Sequence, residues 1–433
     1  MFEKKKMVAL LLAIIAFIST IGCQSDPLAE EQDSSETILY DGIAYPKMNG
    51  SGTVQVLAHA DTFGLRKTVL QEVYGIQIDY QLVPYEQIPK EAEIRIHSGQ
   101  SLDLVYYTSR EYPLGMAKGI YLPLEDFLDF GNPVWRNSKK NADQFRYQGK
   151  IYMVPELEHA RYIWYNPVLF KKHGLKTPLE QYKAGEWTWE WLKEATDVLR
   201  KSEDKLYAIA GSVYGAVMAS KGRKFIHYTP DGFRNATLDP EVEESIDFVN
   251  ALYGQDRFLA TQSEALPVFL KEQTALLYEG AWIYSRKDMQ KLIREKEIGF
   301  LPTPRWKDQE EHIYLADAIG YLIPTTVQNL DGALAALTAN QIIGEQKAQL
   351  DDYCQTLMEV GGLSKECVDI YKALQLSDIK YASPECSIFE NPKDSWLPFD
   401  WMNQGNARSW NFVKRRVYYH FNDGLERFNA VYG

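Results

Sequence analysis

The sequence predicts an α/β fold built on a doubly wound, mostly parallel sheet. Three observations carry that prediction. Strand and helix patterns alternate from residue 53 onward, as they do where helical crossovers join parallel strands. Leu102–Tyr107 is apolar along its length except for Asp103, the pattern of a strand covered on both faces. Glycine and proline then punctuate the helices where a helix must stop or start, at Gly75, Asp239-Pro240 and Gly254.

Taken in order, Thr53–Ala58 is the first apolar strand. Leu65, Val69 and Val73 follow at helical spacing, and Gly75 stops that helix. Ile76–Val83 alternates as a second strand, a polar segment runs to Gln100, and Leu102–Tyr107 is the third strand. Lys150–Val154 reads as one strand after a Gln148-Gly149 turn, and Ile163–Tyr165 as another. Thr188 opens a helix to about Lys201, with Leu192, Ala195 and Leu199 on one face. Asp239 is the expected N-cap of a helix whose Pro240 takes the first position. Val242, Ile246, Val249 and Tyr253 form its buried stripe, ended by Gly254. Thr274–Tyr278 and Ile298–Pro302 are short strands, and Leu330–Ile343 is an Ala- and Leu-rich helix.

The N-terminus is built differently. Glu3–Lys6 is charged, Val8–Ile18 is apolar, and Thr20-Ile21-Gly22-Cys23 follows. An apolar run of about 11 residues is too short to span a bilayer, which needs about 20. It reads as a secretory signal over 1–22. Gly22-Cys23 resembles the bacterial lipobox, with Thr20 where leucine is usual, and the resemblance implies lipidation of Cys23. Residues 23–52 are polar, acidic and rich in Ser, Gly and Asp, as in a tether, although Thr37–Tyr40 has strand character.

The 433 residues carry 47 Lys and Arg against 59 Asp and Glu, a net charge of −12. Removing the signal removes a net +2 and leaves about −14. An acidic surface argues against nucleic acid or anionic lipid as a partner. The four cysteines, Cys23, Cys354, Cys367 and Cys386, make neither CxxC nor zinc spacings. The seven histidines are scattered, so no metal or cofactor is expected. HExxH, GxSxG, P-loop and GxGxxG motifs are absent from the sequence. The excess is aromatic, with 28 Tyr, 18 Phe and 10 Trp.

Several stretches, in order, resemble one family: the extracellular solute-binding proteins of ABC importers, of the sugar-binding type. They are Tyr74-Gly75-Ile76-Gln77-Ile78 with Val83-Pro84-Tyr85; Ser98-Gly99 before Asp103-Leu104-Val105; and Ala117-Lys118-Gly119 before Leu122-Pro123-Leu124. Gly149-Lys150-Ile151-Tyr152, Pro155 and Trp164-Tyr165-Asn166 follow, then Trp187-Thr188-Trp189. Phe269, Lys271 and Thr274 precede Gly280-Ala281-Trp282, and Gly299-Phe300-Leu301-Pro302 comes before Ala333–Leu337. The likeness covers roughly residues 53–345. It implies two α/β lobes joined by strand crossovers, with a ligand cleft between them, as in periplasmic binding proteins. One lobe would hold 53–157 and 317–350, the other 158–316 and 351–433.

The resemblance also implies the site. His59 and Asp61 lie just past the first strand. Tyr107 and Thr108 end the third, where the family places a stacking aromatic. His159 and Arg161 fall in a loop that faces the cleft in relatives. Trp282 matches the family's cleft tryptophan, and Tyr214 and Asp317 complete the candidates. Aromatic planes suit the apolar faces of a sugar, and charged side chains its hydroxyl rim. Trp187, Trp189 and Trp191 straddle a helix start and read as packing. The expected partners are a carbohydrate and the permease subunits, with a monomeric protein held at the membrane by lipid alone. A secreted carbohydrate-active enzyme and a sensory binding lobe are the alternatives; Glu156 and Glu158 mimic a glycosidase pair, but two residues apart on a strand they share one face at about 7 Å and no partner sets them apart.

Overall fold

A computed structural model describes residues 37–64, 66–108, 111–135, 138–139, 142–158, 161–229, 232–254, 262–310, 312–315, 317–344, 347–376, 380–382, 387–395, 397–404 and 410–433. The signal segment, Cys23, His159 and Cys386 lie outside these residues, and Thr108 and Asp317 are described in their strands but not in their side chains.

The strands are, in order, β1 (Thr37–Tyr40), β2 (Ile43–Pro46), β3 (Gly52–Ala58), β4 (Ile76–Leu82), β5 (Leu104–Thr108), β6 (Arg146–Tyr147), β7 (Lys150–Ile151) and β8 (Val154–Glu158). Then come β9 (Arg161–Tyr165), β10 (Ile226–Thr229), β11 (Gly232–Asn235), β12 (Leu276–Gly280), β13 (Gly299–Leu301), β14 (Ile313–Leu315), β15 (Asp317–Leu322) and β16 (Lys380–Ala382). A first sheet has the order β4-β3-β5-β15-β8 and a second the order β12-β9-β13.

In the first sheet β3, β4 and β5 are parallel, while β15 runs antiparallel to β5 and β8. One face packs Leu57, Val105 and Tyr107 against the helix Ile88–His97. The other packs Val54, Val56, Leu104 and Tyr321 against the helices Arg66–Tyr74 and Leu330–Gly344. Helices on both faces make the sheet doubly wound, as its apolar strands predict. Gly75, at a φ of 66° that suits glycine, turns the first helix directly into β4. Asp103 has a structural role. Its buried carboxylate accepts hydrogen bonds from the backbone of Gln55 at 2.8 Å and of Gln328 and Asn329 at 2.9 Å. It thereby fastens the start of β5 to β3 and to the entry of the helix Leu330–Gly344.

The second sheet is antiparallel around β9, with isolated parallel bridges at Tyr207 and Ala210 along β12. Trp164 is buried in β9, and its indole N–H donates to the Gly280 carbonyl at 3.2 Å. Trp187 and Trp189 are buried as expected, donating to the Pro302 carbonyl at 2.7 Å and the Ser220 hydroxyl at 3.1 Å. Thr188 caps its helix by accepting from the Trp191 N–H at 3.2 Å.

Three expectations are corrected. Residues 37–46, placed in the tether, form an antiparallel hairpin. Tyr45 is buried, and Tyr74 Oη donates to the Pro46 carbonyl at 2.9 Å, so apolar contact folds this segment onto the first lobe. Lys150–Val154 is not one strand. β7 pairs with β6 around the Gln148-Gly149 turn, and β8 begins only at Val154. Asp239 does not cap its helix through its side chain, because its carboxylate pairs with Arg234 at 2.7 Å.

The C-terminal part packs its helix Trp410–Tyr432 on the second lobe through Phe225 and Phe233. It also reaches the first. Ser387 N–H donates to the Tyr112 carbonyl at 2.8 Å, and Lys118 bridges Glu93 at 2.8 Å and Glu390 at 2.6 Å.

Beneath that lysine, Glu111 is buried beside Gly115 and Tyr121. Desolvation pushes its pKa from 4.5 up to about 7, against the pull of Lys118. A raised carboxyl pKa stabilises the fold below the unfolded value and loses that contribution as pH rises through the folded one. The loss should total about 3 kcal/mol between about pH 4.5 and pH 7.5. Urea unfolding of the wild type beside Glu111→Gln should show it as a difference between the two that grows with pH. Parallel pH profiles would contradict it.

Candidate functional site

The strand registers locate the ends of both sheets. β3 and β5 end at Ala58 and Thr108, and Thr108 lies opposite Ile319. Asp317, opening β15, is opposite Glu158, which ends β8. Three residues after Glu158, Arg161 opens β9 opposite Gly280, which ends β12, and β13 ends at Leu301 opposite Ile163. The chain thus passes from the first sheet to the second between Glu158 and Arg161 and re-enters the first at Asp317 after β14, so the end of β8 lies next in the chain to the edge of the second sheet at which β12 and β13 end. Open α/β sheets bind ligands at that edge.

On the first-lobe side the edge is aromatic. His59 is exposed, with Tyr85 edge-on at 5.4 Å and Tyr106 stacked at 6.1 Å. Tyr106 also packs on Tyr321 at 4.8 Å. Desolvation lowers the His59 pKa, which favours the neutral imidazole. Asp61 is exposed and paired with Lys67. Desolvation opposes ionisation there, but the Lys67 ammonium and the Gly64 N–H hold its pKa below the usual value.

On the second-lobe side Trp282 is 47% exposed, where a packing tryptophan would be covered. Its ring lies back over Gly280, so that a Cβ there would sit 2.2 Å from ring carbons. Gly280 is therefore needed for the placement of the ring, rather than for backbone approach to a ligand. The Arg161 guanidinium is 5.9 Å from the rings of both Tyr278 and Trp282, within cation–π range. Its charge is met by Glu279, 3.4 Å away and buried.

Of the residues chosen from sequence, His59, Asp61, Arg161 and Trp282 come to this edge, with the backbones of Thr108 and Asp317. Tyr107 does not offer a ring to it: it is buried on the face that packs against Tyr85, at 5.1 Å. Tyr214 is buried too, with its hydroxyl on Asn250 at 2.8 Å. Sequence reading missed Tyr85, Tyr106 and Glu279. Strand alternation could have found Tyr106, since in β5 the neighbour of a core tyrosine faces the other way.

A fold of two sheets joined between β8 and β9, with a half-exposed tryptophan at the edge of one and an aromatic row at the edge of the other, is that of a two-lobed binding protein. The profile of the bacterial extracellular solute-binding proteins matches residues 49–339, and the chain belongs to that family. A binding protein of Brucella abortus is 22% identical over 242 residues, 55% of this chain and 53% of that protein, so the match spans about half the relative's length. Solved structures share the fold at low identity. The sugar-binding protein MalE of Xanthomonas citri is 13% identical, with 88% of this chain and 98% of that one covered and a TM-score of 0.65. The GacH receptor of Streptomyces glaucescens, solved free and with acarbose, is 14% identical, with 87% and 99% covered and a TM-score of 0.60. A Listeria monocytogenes ABC substrate-binding protein in complex with cycloalternan is 13% identical, with 88% and 98% covered and a TM-score of 0.59. Among the described residues no helix is long and apolar enough to cross a membrane.

The exposure of Trp282 has a direct consequence for stability. Trp282→Ala should cost no more than about 1 kcal/mol of folding stability. Trp164→Ala removes a fully buried ring and should cost about 3–5 kcal/mol. Chemical denaturation of the two variants side by side checks this. Comparable losses would return Trp282 to the core.

Proposed function

We propose that this chain captures a carbohydrate, an oligosaccharide by class, and delivers it to an ABC permease. One observation supports this above the others: Trp282 is held half-exposed beside Arg161 on the second lobe, while His59, Tyr85 and Tyr106 pack together past the strand ends of the first. Stacked rings match the apolar faces of successive sugar units. Arg161, Asp61 and the edge residues Thr108 and Asp317 supply the polar rim, and His159 is the further candidate from the sequence. Tyr107 and Tyr214 support the site from the core rather than touching ligand. Acarbose and cycloalternan, bound by the Streptomyces and Listeria relatives, are oligosaccharide-like and favour that size of ligand.

The protein works as a monomer, without cofactor or catalysis. It is held outside the cell by lipid on Cys23 after cleavage of 1–22, at a surface of the Gram-positive type. Cys23 is followed by only 13 residues before the folded hairpin at Thr37, so the first lobe stays near the membrane. Stable anchoring takes more than one acyl chain.

Calorimetry over a panel of neutral oligosaccharides tests the reading, and a micromolar complex, about 8 kcal/mol, is expected. Trp282→Ala should weaken it about 30- to 150-fold, the equivalent of about 2–3 kcal/mol of lost ring contact. Hydrolysis of the sugar during titration would favour an enzyme, and unaltered affinity in Trp282→Ala would remove the platform. Cys23→Ser should move the protein from membrane to soluble fraction. A variant that stays with the membrane would contradict the lipid anchor.

A further inference from the structure

We propose that Glu279 is the specificity-determining residue of the cleft: by neutralising Arg161 it restricts the site to uncharged sugars. This deepens the reading above and rests on it. Arg161 is placed by its strand at the mouth of the second lobe, opposite Gly280. Its side chain is about a quarter exposed, at 26%, and stands between Tyr278 and Trp282. Among the described residues it has one hydrogen-bond partner, the Glu279 carboxylate at 3.4 Å. An arginine has five N–H donors in a planar fork, so most of that fork remains available to a ligand beside the tryptophan.

Left alone, such an arginine would select carboxylate- or phosphate-bearing ligands, because bidentate pairs with anions are the strongest it forms. Glu279 prevents this. Its side chain is 7% exposed and is fixed by the Gly280 N–H at 2.8 Å. Fixed there, it cannot swing away when a ligand enters. Burial makes its charge act on Arg161 with little screening by water. The surrounding charge has the same sense. Asp61 is already paired with Lys67, and the cross-strand neighbours Glu158 and Asp317 are both acidic. An incoming uronate would meet a guanidinium whose charge is already matched. A hydroxyl needs only the donors, which Glu279 orients. Glu279 therefore acts through Arg161, as a positioning residue, and sets the sign of charge the cleft accepts.

The test uses maltotriose and tri-galacturonic acid as a neutral and an acidic probe of equal length, with inorganic sulfate as a probe that needs no sugar site. By calorimetry the wild type should favour maltotriose at least tenfold. Glu279→Gln keeps the shape and removes the charge, and should move that ratio at least tenfold toward the acid, with a stronger dependence on salt. Glu279→Asp should restore the neutral preference. In melting experiments sulfate should stabilise Glu279→Gln, but neither the wild type nor the double variant Glu279→Gln, Arg161→Ala. A structural role for Glu279 would weaken both sugars alike and give no sulfate effect, and that result overturns the proposal. If the wild type binds neither sugar, the carbohydrate reading fails for these probes. The sulfate arm still decides whether Glu279 masks Arg161.

Discussion

The pairing of β15 between β5 and β8 is the constraint on which the rest of the molecule depends. The chain leaves the first sheet at Glu158, builds the second sheet, and returns at Asp317 directly opposite the residue where it left. The points of exit and return are therefore adjacent, although the way back from β13 runs through β14 between Leu301 and Asp317. The same register delivers Arg161 and Gly280 to the start of the second lobe and, through them, Glu279 and Trp282. Glu158 and Asp317 stand opposite one another in the ladder, and both are acidic. The backbone ladder and the flanking apolar faces hold the strands together there, so side-chain attraction is not what fixes the hinge.

Packing fastens the elements within each lobe. The first lobe is fastened by the apolar faces of its five strands and by the three backbone bonds to Asp103. The second uses buried tryptophans as fasteners, since each fills a large volume while its indole N–H satisfies a carbonyl or hydroxyl. The C-terminal segment touches both lobes, through Ser387 on Tyr112 and Glu390 on Lys118. It limits how far they part. A closure motion of this kind needs a ligand that contacts both lobes, because only differential contact shifts the population.

Much of this was legible in the sequence, and the exceptions have physical causes. The parallel strands and their helices announced themselves through apolar runs and glycine stops, because burial on two faces leaves a strong pattern. Of the hairpin at 37–46 only the first strand, Thr37–Tyr40, showed in the sequence, since one tyrosine, Tyr45, supplies the buried position of the second within a polar context. The break between β7 and β8 was hidden because a hairpin with two residues per strand has no periodicity to read. At the site, Trp282 and Arg161 were found from family resemblance and strand ends. Tyr107 was chosen over Tyr106 because adjacency to a strand end says nothing about which face a side chain takes. Glu279 was invisible, since its partner is 118 residues away in sequence.

The central claim is that two rigid lobes turn about the paired crossovers to enclose a sugar against Trp282. Distance measurement between spin labels, one at exposed Lys90→Cys on the first lobe and one at exposed Lys291→Cys on the second, addresses it most directly. The account predicts a broad distance distribution without sugar that shortens and narrows at saturation. A distribution unchanged by a sugar shown to bind in the same sample would contradict it.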